Sequence, residues 1–191
     1  MGEAALKRIT VDEFLAWDGE GDSRYELIGG QIVATPPPSS FHGAIVVKLG
    51  GAISRQLKPP CQVISEAGVV LSWSNDTYYQ ADLAVTCSPL GRGDWATPSP
   101  IVIIEVLSPT TEAHDRGLKL VSYRQIPSVK EIVLIASDER RVELWQRGAV
   151  SWTVTDLDAD KNLRLESIGF DIPVEALYDG LDFSQGAVAQ S

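Results

Sequence analysis

The side chains that hold transition metals or carry redox chemistry are scarce in this sequence: 191 residues include two cysteines, two histidines and one methionine. Cys61 and Cys87 form no CxxC unit and have no paired histidines, which excludes a zinc site. They are expected as two reduced thiols of a cytoplasmic protein. No apolar run approaches the roughly 20 residues that cross a bilayer; the strongest, 101–104, stops at Glu105. No membrane partner is expected. Glu3, Lys7, Arg8, Asp12 and Glu13 leave no room for an apolar leader core, so no secretory signal is expected. Positive charge is also short. Sixteen basic residues face 26 acidic ones, a net charge of −10, which disfavours indiscriminate gripping of phosphate backbones. The excess acid lies at the ends, however. Residues 27–154 carry 11 charges of each sign, so a cleft built there need not repel a polyanion.

What is present fits one globular domain. Apolar residues make up 44% and charged residues 22%, near globular averages. A single domain is expected over 1–183, with 184–191 as a frayed tail. Thr10 caps a short helix over 9–17. Strands 24–28 and 31–35 flank Gly29-Gly30, a two-residue hairpin signal. After three prolines, Ser39 and Ser40 can cap a helix on which His42, Ile45, Val46, Leu49, Ala52, Ile53 and Leu57 form one stripe. Strands follow at 62–65, 68–73, 78–86 and 101–107, and the last reads as covered on both faces. Ser108 to Thr111 should cap a helix over 112–125, with His114, Gly117, Leu118 and Val121 directed to the core. A strand at 131–136 precedes a hairpin of 141–147 and 150–156, in which Val150, Trp152 and Val154 alternate with polar residues. A short helix should follow Pro173. This order predicts a mixed α/β (α+β) domain with one central sheet flanked by helices.

Several carboxylates stand where water should be absent. Glu105 interrupts the apolar run 101–107, and a buried ionised carboxylate must pair, neutralise or bind a metal. Asp82 sits in the apolar strand 78–86. Were the two strands adjacent, both carboxylates could share a face, and a hard divalent cation, Mg²⁺ or Mn²⁺, would relieve their repulsion. On the following helix Asp115, Lys119 and Tyr123 are spaced by four and share a face. Their plain alternative is a surface ion pair. If that helix packs on its strand, Lys119 could reach Glu105. Glu26 and His42 each carry a structural alternative too: an exposed strand glutamate and a satisfied core histidine.

Tyr25-Glu26-Leu27-Ile28-Gly29-Gly30-Gln31, the proline stretch before His42, Asp82-Leu83-Ala84-Val85, Glu105-Val106-Leu107-Ser108-Pro109-Thr110-Thr111 and Asp115-Arg116-Gly117-x-Lys119-x-x-x-Tyr123 occur in that order. Together they resemble the Uma-type restriction endonucleases, a bacterial branch of the PD-(D/E)xK nuclease superfamily, over about 10–175. The resemblance implies a restriction-endonuclease-like core and Mg²⁺-dependent cleavage of DNA. It implies Asp82, Glu105 and the carbonyl of Val106 as metal ligands. Glu26 would be a further acid of the site, His42 part of its lining, and Asp115 and Tyr123 supports for Lys119. The superfamily pattern wants a lysine two residues after the glutamate. Leu107 stands there, so Lys119 becomes the candidate for orienting or deprotonating the attacking water. Double-strand cutting with one site per chain implies a homodimer. Two other readings remain: a non-catalytic binding or assembly protein on the same fold, and a metal-dependent hydrolase of small phosphoesters.

Overall fold

The computed structural model describes residues 8–19, 24–109, 112 and 115–184. Helix α1 (Val11–Leu15) opens with a capping box in which Thr10 and Glu13 satisfy each other's backbone donors. The hairpin of β1 (Arg24–Ile28) and β2 (Gln31–Thr35) turns through Gly29 and Gly30, both at positive φ (56° and 80°). That geometry is costly for residues with a Cβ. Helix α2 (Ser40–Gln56) starts at Ser39, whose hydroxyl accepts from the His42 amide, and its predicted stripe is buried at Ile45, Leu49, Ala52 and Ile53.

The main sheet contains β3 (Gln62–Val70), β4 (Tyr78–Thr86), β5 (Val102–Leu107), β6 (Glu131–Ala136), β7 (Arg141–Arg147) and β8 (Trp152–Asp158) beside the hairpin. Its strand order is β2-β1-β4-β5-β6-β7-β8, with β3 also paired to β4. Only β5 and β6 run parallel within it. Helix α2 and a second hairpin, β9 (Asn162–Leu165) with β10 (Phe170–Pro173), cover one face together with a 3-10 turn, Val174–Leu177. A π-helical turn (Asp115–Lys119) running into α3 (Leu120–Tyr123) covers the other.

Two features of β4 shape the site. First, β3 pairs along its length, whereas its opposite edge is shared. Strand β1 takes the start through Leu27–Tyr78, and β5 takes the end from Leu83 to Val85. Between these contacts the sheet is split. Second, the side-chain alternation changes phase at Asp82. Tyr79 and Ala81 pack toward α3, but Leu83 and Val85 pack toward α2. Strand β3 makes the same switch, and its ladder skips Glu66 between Ser65–Leu83 and Ala67–Ala81. Glu66 is left-handed, with φ of 52°.

The structure corrects several expectations. The strands expected at 62–65 and 68–73 are one, ending at Val70, because the kink at Glu66 keeps the ladder's register. Cys61 and Cys87 are not free thiols. They form a disulfide beside the Gln62–Thr86 rung, since the antiparallel register sets them opposite each other. Strand β8 begins at Trp152, and Val150 and Val154 are exposed because no layer covers that outer strand there. Hairpin β9–β10 was not foreseen. The helix expected over 112–125 is shorter and wider-turned where described. Its core-facing side is reversed: Gly117, Leu118 and Val121 are exposed, while Asp115, Lys119 and Tyr123 are buried. His114 and the predicted cap at Thr110 and Thr111 lie outside the described residues, as does nearly all of the tail 184–191.

Candidate active site

The split between β1 and β5 opens into a cavity of about 290 Å³ lined by Arg24, Glu26, His42, Asp82, Glu105, Val106, Asp115 and Lys119, among others. Its acids come from four elements, and two of them repair the sheet where strands part. Gln80 has no β1 carbonyl opposite it, and its amide donates to Glu26 Oε1 at 2.8 Å. Beyond Ile104 strand β5 leaves β4, and the Val106 amide donates to Asp82 Oδ2 at 2.7 Å. A buried amide needs such an acceptor. The other oxygen of Asp82, Oδ1, faces His42 Nε2 at 3.1 Å.

Lys119 joins the rest. Its Nζ lies 2.8 Å from Glu26 Oε1, 3.2 Å from Asp115 Oδ1 and 3.4 Å from Glu105 Oε1. The π-helical turn carries Asp115 and Lys119, and Tyr123 follows in α3, so three side chains spaced by four are buried on one side. Tyr123 donates to Glu105 Oε1 at 2.6 Å. Burial pushes the Glu105 carboxyl up to about 8. Lys119 and the Tyr123 hydroxyl oppose that rise, and the charges of Asp82 and Asp115 add to it. Burial alone would lower the Lys119 ammonium, but Glu105, Glu26 and Asp115 more than reverse this and hold it well above the ordinary lysine range. Burial, then the nearby Glu105 charge, raises the Tyr123 hydroxyl likewise. Lys119 is therefore a fixed cation at neutral pH.

All eight residues singled out in the sequence thus meet around one cavity: Glu26, His42, Asp82, Glu105, Val106, Asp115 and Lys119 line it, and Tyr123 braces it from beneath. Sequence reasoning missed Arg24, also in the lining. Its signal was available, because residues two apart on a strand share a face and Arg24 precedes Glu26 by two.

The chain matches the family model described as "Uma2: Putative restriction endonuclease" over residues 11–175. It belongs to the Uma2 family. An uncharacterized Synechocystis protein (strain PCC 6803) is 29% identical over 183 residues, covering 94% of this chain and 96% of that protein. A second uncharacterized protein of the same strain is 26% identical over 160 residues, covering 81% and 90%. A crystal structure described as "a putative nuclease belonging to DUF820" from Anabaena variabilis superposes with a TM-score of 0.66 at 23% identity, over 89% of this chain and 97% of that one. The fold of this Uma2 chain is accordingly a restriction-endonuclease-like one: a central mixed sheet with few helices.

Its donors suit a hard cation. Among the described residues no group of three or more His, Cys, Asp and Glu side chains is arranged to hold a metal ion alone. Asp82 and Glu105 nevertheless offer carboxyl groups to one cavity, and among the described residues both Lys119 and Tyr123 bond Glu105 through Oε1. Two carboxylates completed by water and substrate phosphate is the usual provision for Mg²⁺.

Proposed function

We propose that this Uma2 protein is a divalent-cation-dependent endonuclease that hydrolyses DNA phosphodiesters. The observation that carries this reading is the cluster in the split sheet: Lys119, 5% exposed, held by three carboxyl groups beside Asp82 in one cavity. A salt bridge serving only stability rarely needs such an excess of acid, since burying charge costs as much as pairing returns. Mg²⁺ or Mn²⁺ held by Asp82, Glu105 and the Val106 carbonyl would polarise the phosphate and acidify the attacking water.

The protein's own groups perform the rest. His42 fixes one oxygen of Asp82 while the Val106 amide fixes the other, so that carboxylate cannot rotate. Tyr123 holds one oxygen of Glu105, Oε1. Lys119 keeps its proton, which assigns it to countering, from behind the acids that hold it, the negative charge that gathers on the phosphoryl oxygens, not to deprotonation. Asp115 and Glu26 aim its ammonium. A homodimer would supply the two sites that cutting both strands requires.

The test is cleavage of duplex DNA in Mg²⁺ by wild type, Asp82→Ala, Glu105→Ala and the isosteric Asp82→Asn and Glu105→Gln. All four variants should lose cleavage, and the amides should stay folded. Retained activity in any folded variant removes this mechanism. Turnover of a small phosphodiester with DNA untouched would move the substrate class.

A further inference from the structure

Two cationic side chains line the cavity among the described residues, Lys119 and Arg24. Lys119 is committed to Glu26, Asp115 and Glu105, all within 3.4 Å. A phosphate could reach it only by displacing a buried carboxylate. Arg24 stands differently. It shares a strand face with Glu26 and lines the cavity with Thr35 and Pro36. Its Nη1 holds Glu66 Oε2 at 2.5 Å, and both side chains are partly exposed, 31% and 47%. Its Nε is buried and has no hydrogen-bond partner among the described residues. A buried donor without an acceptor is unfavourable, and the guanidinium fork matches two oxygens of a phosphate.

We propose that Arg24 is the substrate's phosphate anchor, and that Glu66 tethers its guanidinium at the cavity until a phosphate oxygen takes over. This rests on the endonuclease reading, whose cavity it shares. The tether suits release: a partly exposed ion pair holds weakly, whereas a guanidinium–phosphate pair is charge-assisted and two-pronged. Glu66 is also no arbitrary surface acid. Its left-handed backbone sits at the ladder position across from Asp82, where both strands switch faces. One kink thus sets both the acid that tethers the anchor and the acid beside His42.

Two measurements test the assignment. In Mg²⁺, Arg24→Ala should lower kcat/KM on a short duplex by about 10–100-fold, the range a lost charged hydrogen bond spans, with most of the loss in KM. Arg24→Lys should recover part of it. Without metal, in a chelator, inorganic phosphate should bind wild type more tightly than Arg24→Ala by about tenfold or more. Glu66→Gln, which frees the guanidinium, should bind phosphate more tightly than wild type. Equal phosphate affinity in wild type and Arg24→Ala overturns the anchor whatever cleavage does. Weaker phosphate binding by Glu66→Gln overturns the tether. Should Arg24→Ala not fold, Arg24→Lys and Glu66→Gln carry the same comparison. A wild type that binds phosphate through Arg24 yet cuts no DNA would remove the endonuclease reading and leave the anchor standing.

Discussion

Replacing Lys119 by methionine keeps the stem and deletes the charge. Three carboxyl groups at 2.8, 3.2 and 3.4 Å then lose their common cation in a site almost closed to water. Removing one partner of a buried ion pair costs about 3–5 kcal/mol. For a chain this long, each kcal/mol moves the melting temperature by about 2–4 °C, so a fall of about 10 °C is expected. The loss should depend on pH with a definite sign. Glu105, at about 8 in the folded chain against 4.5 ordinarily, holds a proton that the unfolded chain releases. Stability is therefore lost as pH rises from about 4.5 toward 8 and levels off above that. Lys119 is the strongest influence pulling the Glu105 carboxyl down. Without it the carboxyl rises further, and the variant goes on losing stability where wild type has levelled. Calorimetric melts at about pH 6 and about pH 9 should show the smaller gap at the lower pH. A loss below about 2 °C at both, or a larger gap at the lower pH, would refute the reasoning.

Mg²⁺ binding should release a proton from Glu105, so affinity measured by calorimetry should tighten on the order of 20-fold between about pH 6.5 and about pH 8.5. Glu105→Gln should flatten that slope, and a pH-independent affinity in wild type would exclude Glu105 as a ligand. Replacing both Cys61 and Cys87 by serine removes a link between positions 26 apart. That should cost about 3 kcal/mol in an oxidised sample. An unchanged melt would show that the bond does not stabilise the fold.

How much of this the sequence discloses varies with the physics. Glu105 is legible because a carboxylate inside Ile-Val-Ile-Ile-Glu-Val-Leu breaks the rule that buried strands are apolar. Asp115, Lys119 and Tyr123 are legible by their spacing, yet which side of the helix they occupy is not. Leu118 and Val121 argue for a core-facing stripe and are exposed, whereas the charged side is buried. The usual pattern inverts because the site, not the core, decides that helix's orientation. Arg24 and Glu66 are 42 positions apart, and no local pattern links them before β1 and β3 are placed about β4. The disulfide needs the β3–β4 register, which separation alone cannot supply.

The deepest part of the site is written in backbone that fails to pair. Where β1 and β5 separate along β4, two amides lose their partners, and Glu26 and Asp82 replace the missing carbonyls with side-chain oxygens. A carbonyl would satisfy the same amides at no electrostatic cost. Carboxylates satisfy them and bring charge into a place where, with Glu105 and Asp115, a single ammonium faces them. Folding alone offers no return for that surplus, since apolar replacement of buried charge is often neutral or stabilising. The surplus is what the proposed divalent cation would draw on. Asp82→Asn separates the two roles, because an amide oxygen can still accept from Val106 while the charge is gone. A folded but inactive Asp82→Asn protein is what a split sheet serving catalysis requires; an active one would mean that the carboxylates do no more than mend the sheet.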